Sequence, residues 1–162
     1  MIPDTVTVSE AVLEALQAME FTQGMEPRHI VKLASIGAGQ TFDEGDIIFH
    51  EGDKSDLLYL VQQGRVALYI RVPDRGKVTI LTVEPGRLLG WSSLFPPHHK
   101  TACARAAIRT RAIALNAPQL LQLCRRDPNL GFIVMQRVAE AITSRLVATR
   151  LQLLDMFAPA GR

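Results

Sequence analysis

Cysteine is nearly absent: Cys103 and Cys124 are the only two in 162 residues. They lie far apart in runs of different secondary-structure character, which excludes a disulfide framework or a cysteine metal knuckle and leaves two reduced, semi-buried thiols. Neither sign of charge predominates, with 18 Lys and Arg against 16 Asp and Glu for a net charge of +2. The chain therefore lacks the concentrated basic footprint of a nucleic-acid binder. It has no apolar run long enough to span a membrane. Its N-terminus, M-I-P-D-T-V-T-V-S-E, also lacks a cationic start followed by an apolar stretch, which predicts a cytoplasmic protein. Catalytic sets are missing too. There is no G-x-x-x-x-G-K-[ST] loop, and Gly90-Trp91-Ser92-Ser93-Leu94 begins like a nucleophile elbow but has Leu94 in place of the final glycine. His98 and His99 are adjacent, not spaced along one helix face, and no carboxylate or cysteine set accompanies them, so they read as a loop tip and not as a metal site. The expectation is a non-enzyme with no metal.

What is present is a core. Hydrophobic residues make up 48% of the chain, enough for one domain with an appended element and too little for two. Ser9-Glu10 marks a helix start, with Val12, Leu13, Leu16 and Met19 at helical spacing. Pro27 begins a second helix carrying Ile30, Val31, Leu33 and Ala34, ended by Gly37 or Gly39. These two helices occupy 9–36. From Gln40 to Asn116 the character changes to short β-branched and aromatic runs such as I-I-F-H, L-L-Y-L-V, R-V-A-L-Y-I-R-V and V-T-I-L-T-V. They are separated by turn signals including Glu51-Gly52-Asp53, Gln62-Gln63-Gly64 and Glu84-Pro85-Gly86. Many short strands without intervening long helices predict a compact β-barrel or roll over 40–116. Helical periodicity returns over 118–157, where Pro118 starts a short helix and Asp127-Pro128 caps a long one. In the long helix Met135, Ala139, Ile142, Leu146, Thr149, Leu153 and Met156 alternate steps of four and three, the spacing of a coiled-coil seam. Leu130, Ile133, Val134 and Val138 supply a separate face for the barrel, so the seam predicts a homodimer.

Chemistry concentrates in E-P-G-R-L-L-G-W-S-S-L-F-P-P-H-H-K-T-A-C-A-R-A, residues 84–106. Gly90 ends a short strand, Trp91-Ser92-Ser93-Leu94 opens a brief helix, and Pro96-Pro97 stops it. Lys100-Thr101 then starts the next strand. Free backbone N–H groups, two serine hydroxyls, an ammonium and a threonine hydroxyl thus converge, which predicts an anion-binding cassette.

The order of helices, roll, cassette and long helix, with the run F-D-E-G-D-I-I-F-H-E-G-D-K-S-D-L-L-Y-L-V-Q-Q-G-R-V-A-L-Y and the later E-P-G-R-L-L-G-W, resembles the cyclic-nucleotide-binding domain family. That family includes sensory domains of catabolite-activator-type transcription factors and regulatory domains of kinases and channels. The resemblance covers nearly the whole chain. It implies a mainly β fold with flanking helices: a double-stranded β-helix (jelly-roll-like) barrel followed by a long C-terminal helix. The ligand it implies is cyclic AMP or cyclic GMP. The implied site comprises Gly90, Trp91, Ser92, Ser93, Lys100 and Thr101, with Thr149 offered from the long helix across a dimer. Thr149 has a second reading as a polar member of the seam. Two positions depart from the family pattern. Trp91 stands where a glutamate takes the ribose 2′-hydroxyl, and its indole only donates. Lys100 stands where an arginine holds the phosphate, and it lacks the bidentate fork. Trp91 is either a lid closing the pocket or a face and donor for a different ligand. The chain stops after the long helix, so direct DNA binding is not expected. Two functions follow: a regulatory module that senses a small anion and signals through its C-terminal helix, or a ligand-free dimeric scaffold that recruits a protein partner.

Overall fold

The computed structural model describes residues 8–158. Two helices, α1 (Glu10–Gln17) and α2 (Pro27–Ser35), precede the strands. Ser9 caps α1 by accepting from the Val12 amide, and in α2 the Glu26 and His29 side chains each accept a backbone N–H of the other's residue. Eight strands follow: β1 (Gly37–Phe42), β2 (Ile47–Phe49), β3 (Leu57–Gln63), β4 (Val66–Val72), β5 (Gly76–Val83), β6 (Leu88–Leu89), β7 (Cys103–Ala106) and β8 (Thr110–Asn116). A four-residue 3₁₀ turn, Trp91–Leu94, lies between β6 and β7. Helices α3 (Ala117–Arg126) and α4 (Pro128–Phe157) complete the described chain.

All pairings are antiparallel and run from the ends of the strand region inward. One sheet has the order β1-β8-β3-β6 and the other β2-β7-β4-β5. The expected barrel is corrected here. The sheets face each other but do not close, because no ladder joins them among the described residues. The strands that would have to bridge them are too short to do so: β6 has two residues, paired only with β3, and β2 has three, paired only with β7.

The strand alternation sorts two cores. Phe49, Tyr59, Val61, Val66, Leu68, Val83, Leu89 and Ala104 fill the space between the sheets. Leu58, Leu60, Ile113 and Leu115 point to the opposite face of the first sheet, where they meet Leu16 of α1, Leu33 of α2, Leu120 of α3 and Leu130, Val134 and Val138 of α4. Buried on both faces, β3 is apolar along most of its length. The sheet begins at Gly37, ahead of the change in sequence character at Gln40. A Cβ on Gly37 would stand 3.1 Å from Ile113 and 3.2 Å from Leu115, so the absence of a side chain lets β1 lie close along β8.

The first turns of α2 and α4 are joined by one carboxylate. Asp127 caps α4 through the Leu130 amide, and its Oδ2 also accepts from Arg28 (3.2 Å), His29 Nε2 (3.0 Å) and Lys32 (3.2 Å). The Glu26 amide donates to His29 Nδ1, which leaves Nε2 as the protonated nitrogen facing Asp127. Burial alone would raise the Asp127 pKa, but the Lys32 hydrogen bond, the Leu130 amide, Arg28 and His29 outweigh it and hold it at about 2.

Candidate ligand-binding site

A cavity of about 380 Å³ lies between the second sheet, the cassette and α4. Its apolar floor includes Phe49, Leu68, Leu81 and Val83, from strands that face the inter-sheet core. One side is formed by Gly90, Trp91, Ser92 and Thr101 of the cassette. The other is α4, through Arg137, Glu140, Ala141, Ser144 and Arg145. These helix positions follow the spacing of one helical face, so the same side of α4 that packs Val134 and Val138 continues as the cavity wall. Further along, Gln152 Nε2 donates to the Thr79 carbonyl on β5, at 2.9 Å. An apolar pocket of this size with a few convergent polar groups is the usual form of a small-molecule site.

The cassette geometry begins at Gly90, whose φ of 79° is left-handed. A Cβ there would also stand 2.9 Å from the Lys100 ammonium and 3.4 Å from the Leu57 carbonyl oxygen. The helical piece is the short turn Trp91–Leu94, followed by a cis Pro96–Pro97 peptide. His98 Nδ1 then donates to the Ser93 carbonyl at 2.9 Å, and backbone bonds from Lys100 N to Asp53 O and Gly52 N to Lys100 O fix the return beside the 50–54 turn.

Of the residues singled out in the sequence, Gly90, Trp91, Ser92 and Thr101 line the cavity. Ser93 and Lys100 lie behind it. Lys100 is only 2% exposed, and its ammonium donates to Leu57 O (2.7 Å), Gly90 O (3.1 Å) and Ser93 Oγ (2.6 Å), while the Phe49 ring centroid lies 4.7 Å away. Its three N–H groups thus meet three acceptors within the protein, and burial lowers its pKa to about 8. Thr149 is exposed on α4, one turn beyond Arg145, and does not line the cavity.

Arg145 stands out among the cavity residues absent from the sequence-derived site. Its Cζ lies 5.6 Å from the centroid of the Trp91 ring. Burial pushes its pKa down, opposed by the carboxylate of Glu51. Arg137 is fixed differently: it donates to the carbonyls of Phe21 (3.1 Å) and Gln23 (2.9 Å) and pairs with Glu140. The signal for both arginines was their helical spacing from the buried Val134 and Val138. That spacing becomes informative only once the barrel-facing side of α4 is followed past its apolar start.

Two facing sheets, a turn-containing cassette and a long helix are thus arranged around one cavity. The chain belongs to the cyclic nucleotide-binding domain family, whose model matches residues 39–127. It is 28% identical over 144 residues to the CRP-like cAMP-activated global transcriptional regulator of Mycobacterium tuberculosis, covering 88% of this chain and 62% of that protein. It is 31% identical over 122 residues to the cyclic AMP receptor protein of Thermus thermophilus, covering 73% of this chain and 56% of that protein. The chain therefore spans about six tenths of the length of these relatives. The crystal structure of a cyclic nucleotide-binding domain from Methylobacillus flagellatus has the same fold. Its TM-score is 0.75 at 24% identity, with 93% of this chain and 85% of that one covered. No helix among the described residues is long and apolar enough to cross a membrane, and no group of three His, Cys, Asp or Glu residues there could hold a metal ion.

Proposed function

We propose that this chain is a non-enzymatic, cytoplasmic regulatory module that binds a cyclic nucleotide or another small anion in the cavity and signals through α4. The observation that carries this reading is the shared wall: Gly90, Trp91, Ser92 and Thr101 on one side, and Arg137, Ser144 and Arg145 of α4 on the other, bound the same 380 Å³. A ligand touching both sides favours the arrangement that holds α4 against the roll, and this differential affinity is what a population shift requires. Thr149 lies one turn further along α4, where a helix partner would bring it near the ligand of the second protomer. The relatives named as cyclic-AMP-activated or cyclic-AMP receptors support the ligand class.

Calorimetric titration with cyclic AMP, cyclic GMP and cyclic dinucleotides, paired with hydrogen exchange over 137–157, tests it. Saturable binding with increased protection of α4 is expected. Absence of heat with every one of these compounds would overturn the reading.

A second reading, a ligand-free dimeric scaffold that recruits a protein partner, is favoured by Lys100. The Lys100 ammonium is fully engaged by Leu57, Gly90 and Ser93, and the distal half of α4 carries exposed apolar residues.

A further inference from the structure

Three arginines and three glutamates line the cavity, and they are not all paired with one another. Arg87 lies 4.0 Å from Glu20, and Arg137 pairs with Glu140 at 3.4 Å while donating to two carbonyls. Lys100 is bonded to Leu57 of β3 and to Gly90 and Ser93, and does not line the cavity. Glu84 lines the cavity but is solvent-exposed. This leaves Arg145, half-buried on the wall, which feels the Glu51 carboxylate but makes no ion pair within 4.0 Å and no hydrogen bond to any described residue. Its contact is with Trp91, 5.6 Å from guanidinium carbon to ring centroid. An indole offers a cation its π face but no formal charge, and a contact through that face uses none of the five guanidinium N–H donors. Arg145 is therefore a desolvated cation on an apolar platform, with its fork free.

We infer that Arg145 of α4, not the cassette lysine, takes the acidic group of the ligand, and that the ligand class is a small organic anion with a two-oxygen acid such as a phosphodiester. The inference rests on the ligand-sensing reading above and assigns the charge recognition within it. A guanidinium binds two acid oxygens through parallel N–H bonds, which an ammonium cannot do with the same geometry. With the acid on α4, the charged part of the binding energy depends directly on the position of the helix. The neutral part of the ligand faces the apolar floor of Phe49, Leu68 and Leu81.

Trp91 is the only tryptophan in the chain, so intrinsic fluorescence reports on this contact without a label. The full chain is titrated with cyclic AMP and with cyclic GMP, followed by fluorescence and by calorimetry, in the wild type, Arg145→Gln, Arg145→Lys and Arg150→Gln. Arg150 is exposed on the same helix and does not line the cavity, so its variant controls for net charge. Expected is a loss of roughly ten- to a hundredfold in affinity for Arg145→Gln, partial recovery for Arg145→Lys, and wild-type affinity for Arg150→Gln. Wild-type affinity in Arg145→Gln overturns the assignment of Arg145 and leaves ligand sensing intact. Absence of saturable binding by either nucleotide to the wild type, in both readouts, overturns ligand sensing and this assignment together.

Discussion

Ser93 Oγ and Lys100 Nζ lie 2.6 Å apart at the base of the cassette, and both donate to the carbonyl of Leu57, at 3.0 and 2.7 Å. Through these bonds and the Gly90 carbonyl, two side chains fasten the start, the middle and the return of the cassette to the first residue of β3. The cavity wall formed by Trp91 and Ser92 is thus anchored from behind.

Burial sets the pH behaviour of this anchor. The Lys100 ammonium titrates at about 8 in the folded chain against 10.5 when unfolded. Between these values the unfolded chain binds more protons, so stability rises with pH across the window. The burial penalty is complete below pH 8 and is relieved by pH 10.5, a gain of about 3 kcal/mol from the size of the shift. Urea unfolding at pH 7.5 and 10.5 should show this slope in the wild type and its loss in Lys100→Met. An equal slope in both proteins would show that Lys100 is not its source.

Asp127 acts at the other end of the pH range. With a folded pKa of about 2 against 3.8, its contribution is fully present above pH 3.8 and is lost as pH falls toward 2. Asp127→Asn keeps a side-chain oxygen that can cap α4 but removes the charge facing Arg28 and Lys32. The variant should lose stability at neutral pH, and the difference from wild type should shrink below pH 3.8. Acid titrations followed by circular dichroism check this; parallel curves at constant offset would contradict it.

At Gly131, α4 packs directly against the backbone of α3. A Cβ there would stand 2.7 Å from the Cys124 carbonyl oxygen and 3.2 Å from its Cα, both on α3. Ala is the better helix former, yet the clash is with backbone, which yields little. Gly131→Ala should therefore destabilise by about 1–3 kcal/mol despite the propensity gain. Denaturant unfolding measures it, and a variant as stable as wild type would mean that α3 can shift without cost.

Much of this architecture is written in local chemistry. Ser9, Pro27 and Asp127-Pro128 place three helix starts because caps and first-turn prolines act within a few residues. Glycines in turns and β-branched runs between them mark the strand region for the same reason. What the sequence conceals is non-local. The openness of the two sheets depends on the pairing of β2 and β6, three- and two-residue strands with almost no sequence signal of their own. Gly37 can lie in β1 close along β8 because it places no Cβ against Ile113 and Leu115, far along the chain. Lys100 sits at an expected cassette position, but a flexible side chain can turn toward the cavity or toward Leu57, and only the packed structure shows the latter. Arg145 reaches the site from α4, beyond the stretch in which the anion chemistry was concentrated.

The distal half of α4 has two unlike sides. Arg145 and Gln152 face the roll, while Leu146 is 68% exposed, Leu153 52% and Phe157 80%. Within the heptad stripe read from the sequence, Met135 and Ile142 pack against the helical core, whereas Ala139, Leu146, Thr149 and Leu153 are exposed. The stripe therefore leaves the core partway along the helix, and its continuation buries apolar surface only if a second helix covers it. A second copy presents the same steps of four and three, which suits a two-fold seam. The expected outcome is a dimer at micromolar concentration, converted to a monomer by Leu146→Glu combined with Leu153→Glu, because like charges then face each other across the seam. Analytical ultracentrifugation of both proteins decides it. A monomeric wild type would sink the seam, and a double variant that remains dimeric would place the interface elsewhere on the molecule.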